Sequence, residues 1–267
     1  MAIRPAQPQS IGGVLDTSFQ LYKASVTKVL LLSLLMTIGS LLPTIYLMVK
    51  GTGFATNPLF MLAAMQDPQY WLVNLLTALI SLVALGAMYL KMDAIGAGTD
   101  MGLGEALQLS LGRLLILFFT MVLLMIMVSV GLLLLLIPGL ILMVSLLLSF
   151  NLAVNERKGP IDSLVGSHKL VWGSWWRTTA ILSVGFIVVI VIYFGLAMLT
   201  GIVMPIVGLR SADPLMFAMI STLIVSGLVG LFVTPFYVAL LLSLYWDLKL
   251  RKEGGDLAAR IGALSTT

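Results

Sequence analysis

The sequence predicts an all-α fold: a polytopic membrane bundle of six transmembrane helices, built as three repeats of an amphipathic helix followed by a transmembrane hairpin. Three observations point there. First, 60% of the 267 residues are hydrophobic and only 10% are charged, with a mean hydropathy of +1.11. A soluble domain carries about 25% charged residues, so this chain has too few to coat a water-facing surface. Second, several apolar runs exceed the roughly 18 residues that mark a membrane span. They are continuous rather than alternating, which selects helices over a barrel. Third, the basic residues divide unevenly between the two sides that six spans define.

The predicted spans are roughly 29–49, 71–91, 114–136, 139–155, 178–203 and 216–246. The first two flank the longest outer loop, GTGFATNPLFMLAAMQDPQY. The third and fourth come from one charge-free run, Leu114 to Asn155. As a single helix that run would be about 63 Å long, twice the hydrocarbon core of about 30 Å, so it must fold back. Pro138 and Gly139 supply a break, and a tight hairpin is expected near Ile137–Gly139. The last span is long and holds Pro235, where a kink or strong tilt is expected.

With six spans, one side holds Arg4, Lys23, Lys28, Lys91, Arg113, Arg157, Lys158, Lys169, Arg177, Lys249, Arg251, Lys252 and Arg260. The other holds only Lys50 and Arg210. The positive-inside rule then puts both termini in the cytoplasm. The start, MAIRPAQPQS, leads into no apolar h-region, so no cleaved signal peptide is expected.

Each hairpin is preceded by a segment with apolar residues on one helical face. Before the first span these are Ile11, Val14, Leu15, Phe19, Tyr22 and Val26; before the third, Leu103, Leu107 and Leu111; before the fifth, Ile161, Leu164, Val165, His168 and Trp172. The hairpins end alike, at YLKMDAIG, SFNLAVNERKG and SLYWDLKLRKEG, where a glycine is expected to stop the helix. The expected organisation is a disordered cytoplasmic tail over 1–9, one six-helix domain over 10–254 and a second tail over 255–267. The three repeats cover about 10–96, 102–157 and 160–254.

The segments IGGVLDTSFQLYK, IPGLILMVSLLLSFNLAVNERKGPIDSLVGSHKLVWGSWWR and YWDLKLRKEGGDL resemble a broad bacterial family. It is the group of six-helix inner-membrane proteins related to the membrane domain of some glycerophosphodiester phosphodiesterases. The resemblance implies an inner-membrane location and this topology. It does not imply catalysis, since the phosphodiesterase activity belongs to a separate soluble domain.

Catalytic chemistry finds few groups to use. There is no cysteine and a single histidine, His168, between Ser167 and Lys169. Metal-assisted hydrolysis needs several converging ligands, and a serine–histidine triad would have to use that same residue. None of the six predicted spans carries a charge near its middle, which argues against a proton relay or voltage sensor. GAGTDMGLG lacks the Lys-Ser/Thr of a phosphate loop and follows no strand. No cofactor and no catalytic or metal-binding residue is expected, and a net charge of +4 is no nucleic-acid signal in a membrane protein.

The most concentrated feature is Trp172, Trp175, Trp176 and Arg177. Tryptophan favours the headgroup layer and arginine pairs with phosphate. An interfacial anchor and a lipid-headgroup contact both account for it. Lys249 and Arg251 join it as candidates, although a solvated helix end also explains them. The function expected is a non-enzymatic protein that handles or senses lipids or other amphiphiles at the cytoplasmic leaflet. The alternatives are a transporter or channel subunit, suggested by the breaks at Pro138 and Pro235, and a scaffold. Partners are then membrane lipids, another membrane protein or a second copy.

Overall fold

In the computed structural model, which describes residues 2–51, 58–208 and 214–265, every described element is a helix. In chain order these are α1 (Ile11–Lys50), α2 (Pro58–Met65), α3 (Pro68–Gly96), α4 (Leu103–Leu111), α5 (Leu114–Leu134), α6 (Leu136–Leu146), α7 (Ser149–Asn155), α8 (Pro160–Val171), α9 (Trp175–Gly208) and α10 (Pro214–Ser265). Six segments are long and apolar enough to cross a membrane: Ile11–Lys50, Pro68–Gly96, Leu114–Leu134, Leu136–Asn155, Trp175–Leu196 and Ile220–Gly254. The chain is a multi-pass all-α membrane bundle.

Polar side chains cap the starts of α1 and α3. The Ser10 hydroxyl accepts from the Gly13 amide at 3.1 Å to open α1, and Asp67 accepts from the Gln69 amide at 2.9 Å to open α3. At the far end, Lys50 reaches Asp67 at 3.3 Å and the Tyr46 hydroxyl donates to Asp67 at 2.7 Å, tying α1 to α3.

The turn between α5 and α6 falls earlier than the sequence predicts. Leu135 is the extended residue (φ −160, ψ 141), while Pro138 and Gly139 lie in the first turn of α6. A proline costs no hydrogen bond there, because first-turn amides have no intrahelical partner. Gly139 serves close approach instead: a Cβ on it would come within 2.6 Å of the Leu132 amide nitrogen. Pro235 lies within α10 and does not end it. Its missing amide frees the Leu231 carbonyl, and the Ser33 hydroxyl of α1 donates to that carbonyl at 2.7 Å.

The ends of the hairpins also differ from one another. Gly98, with φ 80, turns the chain after α3. After α7 the left-handed residue is Arg157, with φ 57, whereas Gly159 is the N-cap of α8. Gly254 stops nothing, since α10 continues to Ser265 and takes the expected C-terminal tail into the helix. The expected disordered tail at the N-terminus is docked: the Ile3 and Arg4 amides both donate to the Gly96 carbonyl at 2.9 Å.

The core sits at the basic end. Buried residues concentrate in the first half of α1, the second half of α3, α7, and Phe236–Leu248 of α10. Elsewhere the bundle is looser; Val191, Phe194 and Met198 of α9 are exposed.

The apolar faces of α1, α4 and α8 are divided between core and surface: Val14 and Leu164 are buried, and Leu15, Tyr22, Leu103 and Leu107 pack partly against the core. α1 buries Val14, Thr17, Ser18, Leu21 and Ser25, while Ile11 and Phe19 face outward. α4 buries Ala106 and Ser110 and leaves Leu111 exposed. α8 buries Ser163, Leu164, Ser167 and Val171 and exposes Ile161 and Val165. Small hydroxyl residues let helix backbones meet closely, and large apolar side chains lose nothing by facing lipid. α8 is seated against the bundle: its Ser167 hydroxyl donates to the Ser145 carbonyl at 2.7 Å and accepts from the Leu148 amide at 3.1 Å.

Candidate functional site

Among the described residues, three clusters gather charged groups at the basic end, while Lys91 pairs separately with Asp100 at 3.7 Å. In the first, Asp247 of α10 is fully buried. Its Oδ2 accepts from Arg177 Nη2 at 2.9 Å and Nε at 3.2 Å, and from Arg251 Nε at 3.0 Å. Its Oδ1 accepts from the Gln9 amide at 2.7 Å. The Gln9 carbonyl in turn accepts from Arg177 Nη2 at 2.6 Å and from Arg251 Nη2. One carboxylate therefore stands against two guanidinium groups, with a neutral backbone carbonyl completing the coordination.

In the second, Glu156 accepts from Lys158 at 2.7 Å, from Lys249 at 2.9 Å and from the Tyr245 hydroxyl. Burial pushes the Glu156 carboxyl up, but these three donors outweigh it and hold its pKa at about 2. In the third, the buried Trp246 indole donates to Asp93 Oδ1 at 2.8 Å, and the Arg4 guanidinium lies 5.8 Å from the Trp246 ring centre.

The predicted tryptophan cluster surrounds the loop between α8 and α9. Gly173, with φ 89, makes the turn. Trp172 is exposed, its ring centre 5.0 Å from that of His168, and its carbonyl accepts from Lys252 at 2.9 Å. Trp175 is half-buried and packs edge-on to Trp176 at 4.8 Å. Trp176 is 80% exposed. Residues 172–177 line an open depression of 550 Å³. Arg251 and Arg177 meet at its edge through Asp247, so the structure gathers five of the six predicted residues. Lys249 is the exception and belongs to the Glu156 cluster.

A second concavity of 350 Å³ lies between α1, α9 and α10. Its walls are apolar, from Tyr22, Val188, Ile192, Val225, Phe232 and Phe236. Nearby, Gly185 lets α9 approach α10 closely, since a Cβ there would overlap Leu240.

Sequence reasoning missed Gln9, Asp93, Glu156 and Asp247 as organising residues. Asp247 reads in sequence as one acid among the bases of YWDLKLRKEGG, and only its spacing of four from Arg251 hints at a pair. Nothing in the chain order brings Gln9 to it. Among the described residues, no group of three or more His, Cys, Asp or Glu converges to hold a metal. Comparison with protein-family models, with characterised proteins and with solved structures finds no match for this chain.

Proposed function

We propose that this is a non-enzymatic integral protein of the bacterial inner membrane, with both termini cytoplasmic, that handles or senses lipids or other amphiphiles at the cytoplasmic leaflet. The carrying observation is the open depression at the start of α9. It sets the exposed rings of Trp172 and Trp176 beside Arg177, Arg251 and Lys252, with Asp247 as the acid at their centre. Tryptophan and surplus positive charge together suit the headgroup layer of a leaflet. The exposed Ile11 and Phe19 of α1, Leu111 of α4 and Ile161 and Val165 of α8 support the same depth, because they suit an interface rather than water. The family resemblance and the three-unit repeat belong to this proposal. The repeat is supported by the short α4 and α8 that precede α5 and α9; in the first unit the corresponding segment is continuous with its span.

The test is native mass spectrometry of the protein released from bilayer nanodiscs without delipidation. The expected result is a retained lipid or amphiphile of defined mass, lost in the double variant Trp172→Ala, Trp176→Ala. These rings are exposed, so the variant keeps the buried clusters. A bare wild-type protein, or a lipid that survives both substitutions, overturns the reading. A stoichiometric second polypeptide in its place favours a scaffold or transporter subunit.

A further inference from the structure

Two arginine side chains aim donors at one backbone carbonyl. Arg177 Nη2 and Arg251 Nη2 both donate to Gln9, while their Nε atoms both engage Asp247 Oδ2. Two cations around one carboxylate leave a net positive charge, and a carbonyl oxygen is a weak acceptor for it. Charge-assisted bonds to an anionic oxygen are roughly twice as strong as bonds between neutral groups. The geometry at the Gln9 carbonyl is that of an anion position: convergent guanidinium donors, excess positive charge and an adjacent tryptophan-lined depression.

The segment that supplies this carbonyl is held near its two ends and exposed between them. Residues 2–10 form no helix, and Arg4, Ala6, Gln7 and Pro8 are exposed. The segment is attached at its start, through the Ile3 and Arg4 amides to Gly96, with Ile3 packed against the core and the Arg4 guanidinium over the Trp246 ring, and at its end, through Gln9 to Asp247 and the two arginines. The Gln9 side chain adds one bond, accepting from the Thr17 hydroxyl at 2.9 Å. Between these points it crosses the basic end as a strap.

We infer that the Gln9 carbonyl occupies the phosphate position of an anionic-lipid site formed by Arg177 and Arg251, and that residues 2–10 are a strap which the lipid headgroup displaces. The inference rests on the lipid reading of the tryptophan depression and adds the charge class of the lipid and a conformational consequence of binding. The phosphate replaces the Gln9 carbonyl between the two Nη2 groups. Asp247 keeps both Nε contacts, so the arginines remain oriented. Gln9 loses its two acceptor bonds, its amide parts from Asp247, and the strap is released. Binding is thus converted into exposure of the N-terminal segment.

The experiment is amide hydrogen exchange of the full-length protein in nanodiscs, followed by mass spectrometry. Three conditions are compared: phosphatidylcholine alone, phosphatidylcholine with phosphatidylglycerol, and phosphatidylcholine with inorganic phosphate. Phosphatidylglycerol is expected to accelerate exchange over residues 3–10 by about tenfold, the scale of one charge-assisted hydrogen bond, and to leave the core of α10 protected. Inorganic phosphate alone is expected to change nothing. Equal acceleration by inorganic phosphate overturns the lipid assignment, and unchanged exchange with phosphatidylglycerol overturns the strap. Gln9→Pro removes the amide that binds Asp247 and is expected to raise phosphatidylglycerol retention; Gln9→Ala keeps the amide and carbonyl bonds and loses only the Thr17 bond, so it is expected to raise retention less than Gln9→Pro. If native mass spectrometry retains a lipid that depends on Trp172 and Trp176 while the strap does not move, this inference falls and the lipid reading stands. If no lipid is retained, both fall.

Discussion

The hydroxyl of Ser33 supplies the hydrogen bond that Pro235 cannot make. In α10 the carbonyl of Leu231 would accept from the amide of residue 235, but proline has none, and Ser33 of α1 donates to it at 2.7 Å. The helix therefore runs through a proline without a free carbonyl in an apolar setting, where an unmet acceptor costs about 1–3 kcal/mol. Ser33→Ala is expected to destabilise by that amount. In a Pro235→Ala background the new amide serves Leu231, and the same serine substitution is expected to cost much less. A double-mutant cycle on thermal unfolding in nanodiscs measures the coupling; additive effects would show that the bond carries no stability.

Gly96 lies against the indole of Trp246, and a Cβ on it would overlap the ring. The ring cannot retreat easily, because its N–H is bound to Asp93 at 2.8 Å and the residue is fully buried. Gly96→Ala is expected to cost about 1–3 kcal/mol, the usual range for overpacking. The Gly96 carbonyl also holds the Ile3 and Arg4 amides, so faster hydrogen exchange at residues 3 and 4 should accompany the loss. Unchanged melting and exchange would contradict this packing.

What was legible in the sequence follows a physical division. Span number and helical class are local properties of hydropathy, and they are readable because lipid forces backbone pairing within each segment. Periodicity shows that α1 and α8 carry an apolar face but not which residues pack inward: Ser18, Ser25, Ser163 and Ser167 are buried beside Val14 and Leu164, while Phe19 and Ile161 face outward. The Leu135 turn was misplaced because proline signals both a break and a first helical turn. The charge clusters were hidden for a topological reason. Gln9 meets Asp247 across 238 residues, and no periodicity encodes such a contact.

Arg157 holds φ 57 in the turn between α7 and α8. A side-chain-bearing residue in the left-handed region costs roughly 1 kcal/mol or more, and glycine pays almost none of it. Arg157→Gly is therefore expected to raise the melting temperature in detergent or nanodiscs, although it removes a cation from the basic end. A fall in melting temperature would mean that the Arg157 side chain supplies more than the backbone loses.

Glu156 should give the basic end an acid-sensitive stability. Burial alone would raise its pKa, but Lys158, Tyr245 and Lys249 bring it down from 4.5 to about 2 in the folded protein. A group depressed on folding contributes stability that is fully present above its unfolded value. That contribution is lost as pH falls through the folded value. The window is thus from about pH 4.5 down to about 2, and neutral pH lies on the plateau. Glu156→Gln is expected to lower stability at pH 7, because it leaves Lys249 and Lys158 without their carboxylate. It is also expected to flatten the decline in acid. Asp67, at the far end, is shifted downward as well, chiefly by the Tyr46 hydroxyl, so the informative quantity is the difference between wild type and variant. Unfolding measured at pH 7, 5, 4 and 3 in the same nanodiscs should give curves that converge in acid. Parallel curves would show that the cluster holds its charge pattern without coupling it to folding.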